Sequence, residues 1–524
     1  MRVRRREMNS IGKRGKPGDV RVAVAYPSLY EVALKTLSFQ MLYYYVNSRE
    51  GFVGERFNLE TLRGEEPEPV SVETGTPLSR FELILFSVHY ELDYVNIARM
   101  LRAAGLEVFS NRRKRPLVIV GGPAVIGNPE PLAEIADLLA LGDIELLLPR
   151  ILDSYLECRG DKESLLESLP PEEGFYAPSR EDSEVSVAYA EKLEAEFHPV
   201  AQLQPLDPRI KWKRGTTIEV MRGCPRGCRF CLEGSIYGPK RERPLEQVEA
   251  IAEGGSRLNS SRRVVLLSLS YFDHSKADRI LELLVDRGHE VSVPSLRADT
   301  LNAERLELIA RGGQRTVAIA PEVASPRLGL AIGKPLLEGK LEEILESALE
   351  TGIKSVKLYF MVGLPGEGLE DVREIAKLVR RLSGAAKKRG GAVKVTLSPF
   401  VPKPQTPMQW FGLEDLASLR KKIAILRKEL RGVAELRVHD PRSSRIQAVL
   451  ARGGREMGRI IALWAEAGGG IGGWRRALRR AGVREEDYLG PIEVGAELPW
   501  SKVRIYRRTS LEEEYAKCLE LVRS

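Results

Sequence analysis

Short apolar runs rich in β-branched residues recur along the chain, separated by longer stretches in which apolar positions return every three or four residues. In the first third, residues 20–26 (VRVAVAY), 81–88 (FELILFSV) and 116–122 (PLVIVGG) read as buried strands. Helical spacing follows over 30–46, over 94–104, where Gly105 ends it, and over 131–141. Strands alternating with helices predict a parallel sheet covered on both faces, a Rossmann-like doubly wound α/β domain over 19–160. Residues 1–18 read as a mobile basic tail, and 161–212, Glu/Pro-rich and weakly periodic, as a connector.

A second alternation begins near residue 213. Strands are predicted at 216–222, 263–269, 289–294, 315–320, 353–361 and 392–398, with helices at 275–288, 303–311, 341–351 and 369–381. Six β/α units over 213–435 predict a partial TIM-type barrel, open on one side, with its chemistry at the C-terminal strand ends. Lys357 and Tyr359 alternate onto one face of the fifth strand, which points them into the lumen. The Pro-rich run 399–407 (PFVPKPQTP), with Lys403 and Gln405 between its prolines, predicts a stiff extended wall over the opening. From about 413 onward the chain reads as mostly helical, with helices expected at 413–431, 443–467 and 474–481, and 436–524 forms a helical C-terminal region. In the last of these, Arg475, Arg476, Arg479 and Arg480 form a basic face, more often a solvated surface than a phosphate contact.

The cysteines change the picture from fold to chemistry. Three of five, Cys224, Cys228 and Cys231, stand in C-x3-C-x2-C spacing directly after the first barrel strand. Such a loop can ligate three irons of a [4Fe–4S] cube and leave the fourth open to a small chelating molecule. Gly223 and Gly227 remove side chains where the loop must fold tightly. Zinc would want a fourth ligand, commonly from a second Cys/His pair, and a disulfide would leave an odd thiol. Cys158 and Cys518 are solitary, so a second cluster with its own ligands is not expected. Few cysteines, 43% hydrophobic residues without an apolar run of membrane-spanning length, and a basic start (MRVRRREM) with no apolar segment behind it place the protein in the cytoplasm, away from membranes. A net charge of +8 permits a nucleic-acid partner, and a charge-rich protein from a hot environment explains it equally well.

The stretch 222–231 (RGCPRGCRFC), with Phe230 before the last cysteine, resembles the signature of the radical SAM superfamily. More narrowly, the chain resembles a family of radical SAM proteins with an N-terminal cobalamin-binding-like domain. The matching stretches are 26–31 (YPSLYE), 128–133 (NPEPLA), 268–270 (SLS), 294–297 (PSLR), 320–322 (APE), 357–367 (KLYFMVGLPGE) and 398–407 (SPFVPKPQTP), with a weaker block at 497–500 (ELPW). The resemblance implies a [4Fe–4S] cluster on the three cysteines and S-adenosylmethionine (SAM) beside it. It implies contacts to SAM from Phe230, Ser268, Ser270, Arg297, Glu322, Lys334 and Gly363, with Arg297 clamping the carboxylate and Glu322 accepting from the ribose. Ser268 and Ser270 stand where many relatives carry Gly-Gly-Glu, so hydroxyls or carbonyls would hold the SAM amino group. Cobalamin, if bound, would meet Ser87, Gly121 and Gly122 at the rim of the first domain; His89, on the same rim, reads as a hydrogen-bonded structural residue. The loop 27–34 (PSLYEVAL) lacks the histidine that ligates cobalt in such domains, so binding would proceed without a protein ligand. The implied activity is reductive cleavage of SAM to a 5′-deoxyadenosyl radical for methyl, methylthio or related transfer. It needs an external one-electron donor of ferredoxin or flavodoxin type; the resemblance does not supply the substrate, for which an RNA or a ribosomal protein is a candidate. The competing expectation is a non-catalytic iron–sulfur protein that binds RNA or the ribosome.

Overall fold

The computed structural model describes residues 5–180, 184–337 and 339–523. The chain forms two compact units. The first takes residues up to Arg214 together with 449–488 and 497–506; the second takes Gly215–Ala448, Leu489–Ala496 and the stretch from Arg507 onward. The C-terminal segment, expected as a region of its own, is therefore divided between the two.

In the first unit six strands form one sheet: β1 (Val20–Leu29), β2 (Phe52–Leu59), β3 (Leu83–Ser87), β4 (Leu117–Gly121), β5 (Leu138–Ala140) and β6 (Phe175–Tyr176). Their order is β2-β1-β3-β4-β5-β6, parallel except for the antiparallel last pair. The doubly wound topology agrees with the sequence pattern, and several elements differ from it. Residues 131–141, read as a helix, hold a 3-10 turn at Glu130–Leu132 and then β5. A short apolar run suits a buried strand as well as a helix, and Asp137 fixes the choice by accepting from the backbone N–H of Val118 at 2.7 Å. The helix expected over 30–46 is interrupted, with Tyr30–Ala33 and Leu37–Ser48 as separate pieces. β2 carries Glu55 and Arg56 in its centre, which hid it from an apolar pattern; Arg56 is buried against Glu7 and Glu73.

That ion pair also corrects the reading of residues 1–18 as a mobile tail. Residues 1–4 lie outside the described residues, but Glu7–Met8 pairs antiparallel with Gln204–Pro205, and the Tyr43 hydroxyl accepts from the N–H of Ile11 at 2.8 Å. The stretch 161–212 likewise contributes β6 to the sheet, and so is part of the domain. The 128–133 stretch has a structural task here. The Asn128 amide donates to the carbonyls of Ala451 and Gly453 (3.0 and 2.8 Å), while Glu130 accepts from Tyr176 at 2.6 Å and pairs with Lys502 at 3.0 Å.

In the second unit, β7 (Thr216–Glu219), β8 (Arg263–Leu267) and β9 (Glu290–Ser292) form a parallel sheet, and β10 (Thr316–Glu322), β11 (Ser355–Val362), β12 (Ala392–Pro399) and β13 (Glu435–Val438) form another. A single parallel bridge, Leu296 to Ile319, links the two series. The partial barrel thus has seven strands among the described residues; β13 was not anticipated, because its alternating ELRV pattern is half polar. Helices cover the outside, among them Ala277–Asp286, Ala303–Arg311, Lys340–Glu350 and Leu369–Lys388. On β12, Val393, Val395 and Leu397 are buried towards the helices, leaving Lys394, Thr396 and Ser398 on the lumen face. Small half-buried residues, Ala318 and Ala320, leave that lumen open beside β10. No helix among the described residues is long and apolar enough to cross a membrane.

Candidate cofactor site at the barrel mouth

The cysteine loop leaves the barrel through Met221–Arg222, which pairs antiparallel with Arg241–Glu242 on its return. Gly223 turns the chain at φ +80°, where a Cβ would lie 2.6 Å from the Tyr237 carbonyl oxygen and 2.7 Å from that of Pro239, so only glycine fits. Cys224, Cys228 and Cys231 follow as free, half-buried thiols. Burial pushes the Cys231 thiol up to about 12, and Cys228, Glu233 and Cys224 push it the same way. Burial also raises Cys224, with Cys228 adding to it. The neighbouring thiols disfavour the ionised forms of Cys224 and Cys231, and a bound cation reverses that preference. Two donors already face the sulfurs: the Gly234 N–H lies 3.3 Å from Cys231 Sγ and Arg297 Nη1 lies 3.4 Å from Cys228 Sγ. Among the described residues no three His, Cys, Asp or Glu side chains converge on a single-ion position. The donor set, three spaced thiols with N–H groups aimed at sulfur, fits an iron–sulfur cube bound by three cysteines.

Charged groups brace this loop. Arg226 donates to both oxygens of Asp273 (2.8 and 2.5 Å) and to Asp299 at 3.2 Å. Asp299 also accepts from Arg297 Nε and Nη2 at 2.9 and 3.1 Å. Burial raises the Asp273 carboxyl, but hydrogen bonds from Arg226 and Ser270 outweigh it and hold the group below its ordinary range. The structure therefore engages three residues singled out for SAM within the protein itself. Ser270 donates to Asp273 at 2.6 Å, the Ser268 hydroxyl accepts from the Ser270 N–H at 3.2 Å, and the Arg297 fork is spread between Asp299 and Cys228. Glu322 and Lys334, twelve positions apart, are brought together at 2.8 Å. Glu322 sits in a bulge at the end of β10 with φ +69°, an uncommon conformation for a non-glycine residue. Burial raises its carboxyl while Lys334 pulls the other way.

Gly363 follows β11 at φ +83°, and its N–H donates to Glu367 at 2.7 Å. A Cβ there would lie 2.5 Å from Leu419 Cδ2 and 2.9 Å from Glu414 Oε2, so this glycine serves close packing. Phe230 packs on an apolar cluster that includes Val323, Ile332, Met361, Phe400 and Met408. Cys518 and Tyr515 of the C-terminal helix (Leu511–Arg523) join the same cluster. That helix is a part of the site the sequence reading passed over, although Leu511, Tyr515, Cys518, Leu519 and Val522 recur at helical spacing. Arg229, next to Phe230, donates to Glu514 at 2.9 Å and to the carbonyls of Leu330 and Ala331 at 2.8 and 2.9 Å. From the same end of the chain, Arg508 reaches the carbonyl of Pro225 at 2.9 Å and Arg507 reaches Gln405 of the Pro-rich wall at 2.7 Å.

In the first unit the strand-end residues Ser87, Gly121 and Gly122 share one rim. Ser38 and Ser87 hydroxyls lie 3.0 and 3.3 Å from His89 Nε2 and 3.2 Å from each other, so that histidine nitrogen is occupied by hydroxyls. Ser38 was not anticipated, since it lies on a helix far away in sequence. Gly122 (φ +125°) brings its Cα against Val88, where a Cβ would lie 2.1 Å from the carbonyl oxygen.

Two family models match the chain: radical SAM proteins, N-terminal, over residues 38–178, and the radical SAM superfamily over 218–379. An uncharacterised protein of Methanocaldococcus jannaschii is 29% identical over 448 residues, covering 84% of this chain and 90% of the relative. The ribosomal protein uS12 methylthiotransferase RimO of Desulfotalea psychrophila is 26% identical over 308 residues, 53% of this chain and 67% of that protein. Among solved structures, the radical SAM methyltransferase TsrM of Kitasatospora setae, with cobalamin and a [4Fe–4S] cluster bound, shares the fold at a TM-score of 0.50 and 16% identity, over 75% of this chain and 74% of that one. With the three-cysteine loop at the C-terminal end of its first barrel strand, the chain carries over 38–178 and 218–379 the two domains of radical SAM proteins, whose cofactors are a [4Fe–4S] cluster and SAM.

Proposed function

We propose that the chain is a transferase that cleaves SAM reductively and uses the radical to move a methyl or methylthio group onto its substrate. The observation that carries this reading is the three-thiol loop at the mouth of an open-lumened barrel, with N–H donors facing two of its sulfurs. Cys224, Cys228 and Cys231 would hold the cluster, which would supply the one-electron reduction that SAM cleavage needs. Glu322 and Lys334 would contact SAM from the end of β10. Phe230 and the apolar cluster beneath it would exclude water from the radical. Ser268, Ser270 and Arg297 would act one step back, through Asp273, Asp299 and Cys228, by fixing the loop. Gly363 would keep the turn beneath the site closed on Leu419. The electron would come from a ferredoxin- or flavodoxin-like protein in the cytoplasm.

Methyl transfer is favoured by the rim of Ser87, Gly121 and Gly122, which resembles a cobalamin platform without a histidine free for cobalt. The RimO relative supports a ribosomal protein as substrate. Anaerobic reconstitution with iron, sulfide, SAM and dithionite is expected to yield 5′-deoxyadenosine, and Cys228→Ala to lose both the brown colour and the product. A reconstituted protein that binds SAM and gives no 5′-deoxyadenosine would leave the non-catalytic reading. Absence of corrinoid absorbance after loading would remove cobalamin-dependent methyl transfer.

A further inference from the structure

We propose that the barrel lumen recognises an oxyanion of its substrate, a carboxylate or a phosphate, through the Lys357 ammonium and the Thr396 hydroxyl. The inference deepens the reading of the barrel as the substrate chamber and rests on it. Lys357, on the lumen face of β11, donates to the Tyr359 hydroxyl at 2.7 Å and stands 4.5 Å from the centre of that ring. Among the described residues no carboxylate pairs with it. A half-buried ammonium without a counter-charge is unfavourable, because desolvation is not offset by attraction.

The neighbouring strands extend the same imbalance. In register across the sheet Tyr359 stands beside Thr396, and Thr396 beside Arg437. Thr396 is 5% exposed, yet its hydroxyl has no hydrogen-bond partner among the described residues. Buried hydroxyls are nearly always bonded, and an orphan on a lumen face is a place held for something. On this face Lys394 and Arg437 share one carboxylate, Glu435, at 4.0 and 2.9 Å. Those two cations are also solvated, at 46% and 73% exposed, so the uncompensated charge on this face is the half-buried Lys357. A substrate oxyanion supplies what is missing: acceptors for the ammonium, for Tyr359 and for Thr396, and the charge that offsets Lys357.

The test uses full-length, anaerobically reconstituted protein titrated calorimetrically with inorganic phosphate and, separately, with malonate. At least one probe is expected to bind; tighter phosphate binding points to a phosphorylated substrate, tighter malonate binding to a carboxylate. Lys357→Met should weaken the preferred probe about tenfold or more, and Lys357→Arg should retain it within about threefold. Thr396→Val should weaken it about threefold while leaving the melting temperature equal or higher, because the change removes an unpartnered buried hydroxyl. A merely structural threonine would show the reverse, a lower melting temperature and unchanged affinity. Neither probe binding, Lys357→Met binding like the natural protein, or that reversed Thr396→Val result would each overturn the proposal. Since binding is read without turnover, a failure to form 5′-deoxyadenosine tells against the radical reaction alone.

Discussion

Glu514→Ala tests whether the C-terminal helix holds the cysteine loop in place. Glu514 and Arg229 are 17% and 12% exposed and meet at 2.9 Å. Removing the carboxylate leaves the Arg229 guanidinium with two carbonyl acceptors, those of Leu330 and Ala331. A hydrogen bond between charged groups contributes about 1.5–3 kcal/mol, and the residual exposure of both partners places this one near the lower end, about 1.5–2 kcal/mol. If the pair is lost only when the helix lifts, its opening equilibrium rises about 10- to 30-fold. Amide hydrogen exchange across 511–523 in the full-length, iron-reconstituted protein should accelerate by that factor, and iron should pass to a chelator faster in parallel. Lys517→Ala is the matched control. Lys517 also bonds Glu514, at 2.7 Å, but is 60% exposed, so its removal should change exchange by less than about threefold. Acceleration below about twofold for Glu514→Ala, or equal effects of the two variants, would refute the idea that this contact ties helix to loop.

Two further outcomes follow from the ground beneath the site. Gly363→Ala should destabilise the protein by about 2–5 kcal/mol, combining a left-handed backbone cost of about 1–2 kcal/mol with overpacking of about 1–3 kcal/mol against Leu419; an unchanged melting temperature would contradict the close approach. Burial raises the Glu367 carboxyl to about 7 against the opposing pull of Lys422, so the folded state holds this proton more tightly than the unfolded chain. Its stabilising contribution is then complete below the ordinary carboxylate pKa and is lost as the pH rises through about 7. Glu367→Gln should accordingly flatten the fall in melting temperature between acidic and neutral pH, and an identical pH profile would count against the raised pKa.

The cysteine loop was legible because its chemistry is local: three ligands and the glycines that let them turn fall within nine consecutive positions. Alternation of apolar strands and amphipathic helices likewise carried both α/β units, since the 2- and 3.6-residue periods are imposed by burial on each element separately. Elements stabilised by polar burial were hidden. β2 was missed because its centre is charged and depends on Glu7 and Glu73, residues supplied from distant segments. β13 was missed because its short ELRV strand is half polar and nowhere fully buried.

By itself, then, the sequence determined the chemical class, the barrel, and the strand end from which the cysteines project. Tertiary structure alone decided the partners of the polar residues around them. Ser270 and Arg297, read as ligands of SAM, are drawn to Asp273, Asp299 and Cys228, while Glu322 meets Lys334 and Arg229 meets a helix nearly three hundred residues away. The physical reason is that a hydrogen bond or ion pair has no period along the chain. It forms with whichever complementary group the packed backbone delivers within about 3 Å, and the backbone's path is set by apolar burial that these polar residues do not themselves direct.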